Sequence, residues 1–283
     1  MSDPIAEISE ADATGAIAEI YRDIKAVTGV GQVNTIWRHW ASLPPALEWA
    51  WGAVRPLYDD GGVAAAAAAL VASVDISDSA EVPMEAFRAA GVGDHAVGTA
   101  AAIVEAYNRA NSQNLVVMPA LARFIANGGG EKAPATADPS ARPQKPGPLP
   151  PILAMDEMEK DTAEMVAALS APVAPAGQAL IPSLYRHLAA WPALLAMAAA
   201  STFAPGKIAD AEAAATALSA RAIAEATALA AAMAPPAGCD TPSAEALAHI
   251  AEMADNFTRG PIALMTVLGT QLRPTYPEVK IIY

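Results

Sequence analysis

Two hydroxyl–imidazole pairs hold equivalent places in this chain. His39 follows Thr35 by four residues, and His187 follows Ser183 by the same step. On a helix that spacing sets both members on one face, so each hydroxyl has an imidazole one turn away. An imidazole can take a proton near neutral pH. A Ser or Thr at a helix start can cap exposed N–H groups or help orient an anion there. The plain reading stands beside these: hydroxyls that only cap, and histidines that only meet the carbonyls and dipole of a helix end.

The pairs belong to a longer repeat. Val33 to Pro44 (VNTIWRHWASLP) returns as Ile181 to Pro192 (IPSLYRHLAAWP), and 187 − 39 and 192 − 44 both give an offset of 148. Arg38/Arg186, His39/His187, Ala41/Ala189 and Pro44/Pro192 are identities, while Thr35/Ser183 and Trp37/Tyr185 keep their chemistry. Upstream, Ala18-Glu19-Ile20 answers Ala163-Glu164-Met165; downstream, Leu115 to Leu121 answers Ile262 to Leu268. Two units of this size are too few for a solenoid. The expected arrangement is a tandem duplication folded as a face-to-face pseudo-dimer, each half covering the other's apolar face.

At 283 residues the chain can form two such units with a large joint core. The composition is 54% hydrophobic and 17% charged, much of it alanine. No run reaches the roughly 18 strongly apolar residues of a membrane span. The acidic start, Met1-Ser2-Asp3-Pro4, does not resemble a signal peptide, so a cytoplasmic protein is expected. A single cysteine, Cys239, precludes an intramolecular disulfide or a cysteine metal cluster. The net charge of −13, without any basic run, argues against nucleic acid as a partner. GxGxxG, P-loop, HExxH and GxSxG motifs are missing, and no cofactor or metal is expected.

The elements that must position these residues read as all-α. Helices are expected over 13–27 (capped by Asp12, stopped at Gly29), from Asn34 or Thr35 to Pro44, and from Pro45 to Val54. Further helices are expected over 64–74 and 84–89, and over 95–127 with a break or kink at Pro119. The second half gives 156–169, 183–190, 192–203, 209–233, 243–249 and 251–271, the last interrupted at Gly260-Pro261. Residues 1–127 form the first unit and 152–283 the second. Between them 128–151 is Pro- and Gly-rich, suited to an extended strap rather than helix or sheet. The Trp37, Trp40, Trp49 and Trp51 cluster reads as core or inter-half packing, and Arg38 and Arg186 as partners for acids across the pseudo-twofold.

Three stretches carry a likeness to a known family: Ile36 to Trp49 with ASLPPALEW, Tyr107-Asn108-Arg109-Ala110-Asn111 with the apolar Leu115 to Leu121, and Ser183 to Leu195 with LAAWPALL. With the duplication and the strap, the chain resembles the group I 2-haloacid dehalogenases. That resemblance implies an aspartate that activates water to displace halide from C2 directly, with an asparagine holding the water between the halves. Carried over position by position, Asn111 falls on the water-holding asparagine and Ser183 on a substrate-binding serine. Leu184, however, falls on the catalytic aspartate, and leucine accepts no proton. Two pocket-shaping aromatic positions fall on Gln32 and Thr35, so the pocket is expected to differ. The duplicated helical plan is also similar to the alkylhydroperoxidase-like proteins, but their CxxC pair is absent.

The expectation is therefore a dehalogenase-like hydrolase taking a small 2-substituted carboxylate. Asn111 is its catalytic candidate, Gln32, Thr35, Ser183, Leu184 and Tyr185 are its substrate-binding candidates, and His39 or His187 is the alternative base. A homodimer is compatible with it. The alternative is a non-catalytic small-carboxylate binder or a structural helical protein.

Overall fold

The computed structural model describes residues 6–59, 61–75, 81–127, 149–174 and 180–277, and among these the chain is all helical, with no strand. Twelve helices lie among them: α1 (Gly15–Thr28), α2 (Thr35–Ala41), α3 (Ala46–Val54), α4 (Gly62–Ala72), α5 (Met84–Ala89) and α6 (Asp94–Asn127), followed by α7 (Lys160–Ser170), α8 (Ser183–Leu188), α9 (Pro192–Thr202), α10 (Lys207–Ala231), α11 (Ala244–Phe257) and α12 (Ala263–Leu272). The expected Pro-rich strap lies outside the described residues, save for 149–151.

The long helix α6 is the axis. It packs against α4, α10, α11 and α12. From Ala110 to Leu121 every residue is buried, so this stretch has no solvent face at all. Almost all of α12 is buried beside it. The alanine content has a structural use here. Helix α10 turns Ala211, Ala215, Ser219, Ala222, Ala226 and Ala230 inward with Leu218, a mostly small-residue stripe that lets α6 and α12 approach closely.

Inside α6 a polar run, Asn108, Asn111, Ser112, Gln113 and Asn114, is as buried as the leucines that follow it. A buried amide is tolerable only with partners, and each finds one. Asn108 donates to the Gly269 carbonyl (2.9 Å), Gln113 to the Thr28 carbonyl (3.0 Å), and Ser112 to the Arg109 carbonyl (3.2 Å). Asn114 accepts from the Trp37 indole (2.9 Å), and Asn111 accepts from the Asn34 amide (3.1 Å). These bonds fix α6 against α12, the end of α1, and α2 with its lead-in loop.

Several local expectations are met by the packing. Gly29 ends α1 in the left-handed region (φ 65°), its N–H donating to the Lys25 carbonyl. Asn34 caps α2 through its side chain. The interruption at Gly260-Pro261 is a π turn, Thr258–Ile262, between α11 and α12, with Gly260 away from helical geometry (φ −111°, ψ −107°).

Others are corrected. Asp12 does not cap α1; Thr14 holds the N-cap position, and Asp12 instead accepts from the Ser9 hydroxyl (2.6 Å). Pro119 does not end α6, which runs through it as one 34-residue helix. In place of a short helix over 243–249, α11 continues to Phe257 because Ile250 and Ala254 are held in the core. Among the described residues Arg38 and Arg186 do not pair with acids across the Pro-rich stretch. Arg38 meets Glu7 (3.1 Å) within the first half, and Arg186 donates to the Leu153 carbonyl (2.7 Å) within the second. The tryptophans are core of the first half: Trp37 meets Trp40 and Trp51 edge-on, and Trp49 stacks on Phe124.

Candidate functional site

Five of the sequence-derived candidates come together around one small cavity of about 50 Å³. The loop before α2 supplies Gln32, Val33 and Asn34, and α2 supplies Thr35. Tyr107 and Asn111, one turn apart, come from α6, while Ser183 and Leu184 come from the first turn of α8. Val173, Leu180, Phe257, Pro261, Ile262 and Met265 close it with apolar surface. Walls thus come from both sides of residue 150. A larger groove of about 910 Å³ adjoins the cavity, sharing Thr35, Val173, Leu180, Phe257 and Pro261 with it.

The loop is held from behind. Glu10 accepts from the Val33 backbone N–H (2.8 Å) and from Lys25 (2.6 Å), so its carboxylate is engaged in positioning. No aspartate or glutamate lines the cavity among the described residues. Leu184 is 1% exposed and presents only hydrocarbon. Ser183 is the first residue of α8 rather than its cap; Pro182 precedes it and has no side chain to offer the helix.

The two histidines of the four-residue pairs are placed differently: Thr35 and His39 line one groove, while His187 lies outside the cavity that Ser183 lines. His187 is buried, its Nδ1 2.9 Å from the Tyr107 hydroxyl and its Nε2 2.7 Å from the Pro150 carbonyl. It stands behind Tyr107, not in the cavity wall. Gln32 and Ser183 both bear on that same phenol, whose ionisation burial pushes well up, against a weaker pull from Gln32, Arg38 and Ser183. Gln32 Oε1 is buried with no hydrogen-bond partner among the described residues. His39 lines the groove rather than the cavity, its Nδ1 2.5 Å from the Ala6 carbonyl. Tyr185 turns away altogether. It is fully buried elsewhere in the second half, near enough to Tyr276 to add to the effect of burial in raising that phenol's pKa.

Tyr107 is the residue that sequence reasoning passed over, although a signal was present. It lies four residues before Asn111, hence on the same face of α6. Asn34, read only as a cap, turns out to fix the Asn111 amide as well. Because Asn111 Oδ1 accepts from Asn34, its NH₂ group is the part left to face other atoms.

Burial, helped by Arg186, lowers the His187 pKa below the ordinary 6.5, and the Pro150 carbonyl only partly offsets this. The unfolded chain therefore binds this proton first as pH falls. The stability held above about 6.5 is lost as pH drops toward the folded value. Urea midpoints taken from about pH 7.5 to about pH 5 should fall more steeply for the unmodified protein than for His187→Gln. Parallel curves would dismiss the assignment.

The cavity's geometry can be set beside known proteins. No family model matches the chain, and no curated protein sequence matches it. Solved structures do. A D-2-haloacid dehalogenase mutant superposes with a TM-score of 0.72 at 21% identity, covering 95% of this chain and 94% of that one. A D-2-haloacid dehalogenase in complex with L-LA gives 0.71 at 20% identity, covering 96% and 99%. A mutant of such an enzyme with D-2-CPA gives 0.67 at 20% identity, covering 94% and 95%. The fold is haloacid dehalogenase-like over nearly the whole chain.

Proposed function

We propose that this chain is a dehalogenase-like hydrolase that binds a small 2-substituted carboxylate in the cavity between two duplicated halves. Water would attack C2 directly, without a cofactor. The observation that carries the proposal is the cavity itself. Gln32, Thr35, Tyr107 and Asn111 of the first half meet Ser183 and Leu184 of the second there, in a fold like that of the D-2-haloacid dehalogenases. The offset, 148 across the central repeat and 145 to 147 at its flanks, supports the pseudo-dimer. So do two similar anchors: His39 Nδ1 at the Ala6 carbonyl and His187 Nε2 at the Pro150 carbonyl, each tying a helix to the segment ahead of its unit's first helix.

The chemistry must differ from an aspartate-driven reaction, since Leu184 stands at that position. Asn111, with its Oδ1 held by Asn34, can donate to a water or a substrate oxygen. The apolar walls keep such a water from exchanging freely. A second reading is favoured by Leu184 and by the lack of any lining carboxylate among the described residues: the cavity holds a small carboxylate and does no chemistry.

Halide release from D- and L-2-chloropropionate, followed for the unmodified protein and for Leu184→Asp, separates the two. Release by the unmodified protein supports a hydrolase with a relocated base. Release only by Leu184→Asp supports a retained pocket that lost its base. Silence from both, with the variant folded, removes the hydrolase.

A further inference from the structure

We propose that Tyr107 and His187 together form the proton acceptor of this cavity, Tyr107 touching the attacking water and His187 receiving the proton behind it. The inference rests on the hydrolase reading. Its geometry is set by a backbone group. The Pro150 carbonyl can only accept, so Nε2 of His187, 2.7 Å away, carries hydrogen. In the neutral ring Nδ1 is then the bare nitrogen, and the Tyr107 hydroxyl donates to it over 2.9 Å. The lone pairs of the Tyr107 oxygen face Gln32 and Ser183, which also line the cavity, and a water there reaches one lone pair by taking the place of one of these two donors.

A water in the cavity can thus donate one hydrogen to Tyr107 Oη. Its other hydrogen has an acceptor in Gln32 Oε1, buried in the same wall and lacking a partner among the described residues. As the water oxygen bonds to C2, the carbon–halogen bond breaks and its electron pair leaves with the halide. The water's proton passes to Tyr107 Oη, and the Tyr107 proton passes to His187 Nδ1. The products are a 2-hydroxy acid, halide and an imidazolium, whose Nε2–H stays on Pro150 throughout. The charged and titratable groups bearing on His187 are Tyr107 from α6, Arg186 on its own helix and Glu10 from the segment before α1. Burial, with Arg186 adding to it, keeps the ring neutral and ready to accept, while the Pro150 carbonyl and Glu10 favour the cation once formed. The two members come from opposite halves, so the acceptor exists only when the halves are docked.

The test is halide release from 2-chloropropionate between about pH 5 and about pH 9 by the folded full-length chain. Tyr107→Phe and His187→Gln are run alongside, with 2-hydroxypropionate binding measured by calorimetry. A positioned proton acceptor is worth about 100-fold or more. Tyr107→Phe should lower kcat by about that factor with acid binding kept, and His187→Gln should erase the acid limb of the profile. Release by Tyr107→Phe within about threefold of the unmodified rate would overturn the relay and leave the hydrolase standing. Binding without release by the unmodified protein would overturn the relay in favour of a binder. Neither binding nor release would remove both.

Discussion

Gly269→Ala is expected to lower stability by about 3 kcal/mol, a large effect for adding one methyl group to a helix. Gly269 lies in the buried α12, where a Cβ would fall inside van der Waals contact of Asn108 Oδ1 and 3.2 Å from its Cγ. Asn108 is 1% exposed and cannot swing into solvent. Its amide also donates to the Gly269 carbonyl, so displacing it breaks the bond that joins α6 to α12 and strands a buried donor. The sign depends on that one side chain. In an Asn108→Ala background the clash is gone, and alanine should recover up to about 1 kcal/mol over glycine through helix propensity. Urea melts of the two single variants and the double variant form the cycle. Additive costs would show that the glycine is not there for Asn108.

The same contact shows where the sequence was readable and where it was not. Helix positions followed from apolar spacing and from punctuation such as Gly29 and Gly260-Pro261, because those signals are local. The buried run Asn108 to Asn114 misleads any periodicity argument. These polar residues look like a solvent face, yet the four amides among them each bond a group from another element, such as Trp37 or Gly269, and Ser112 bonds a carbonyl of its own helix. The candidate site was legible to the extent that it repeats: Thr35, Ser183 and Leu184 were found by offset and resemblance, and with Gln32 and Asn111 they line one cavity. Tyr107 was not found, since its partner His187 is 80 residues away. Nor could spacing show that Tyr185, beside Leu184, turns into the core while its neighbour faces the cavity. On a helix adjacent residues point about 100° apart, and only packing decides which of them meets the ligand. Arg38 was misassigned for a related reason: its partner Glu7 precedes α1 and leaves no mark in the repeat.

Trp37→Ala should cost about 4 kcal/mol, and its consequences should reach the cavity. The side chain is 1% exposed, with ring centroids 5.2 Å from Trp40 and 5.4 Å from Trp51, both edge-on. Truncation forfeits that burial and leaves a void. It also leaves Asn114 Oδ1 without the indole N–H that now reaches it at 2.9 Å. Trp37→Phe keeps a six-membered ring, removes the donor and leaves a smaller void, so it should cost about 1–3 kcal/mol. That smaller change carries the more informative result. Asn114 lies one turn beyond Asn111 on α6, and Trp37 lies two residues beyond Thr35 on α2. The indole bond therefore sets how α2 and its loop, with Gln32 and Asn34, register against Asn111. Loss of this bond should loosen the Asn34–Asn111 contact and weaken binding of 2-hydroxypropionate by about tenfold, as a 1.4 kcal/mol change would. A distant core substitution of equal cost, such as Leu195→Ala in α9, should leave that affinity unchanged. Equal affinity loss in both would mean that the cavity responds to stability in general, not to the register that Trp37 sets.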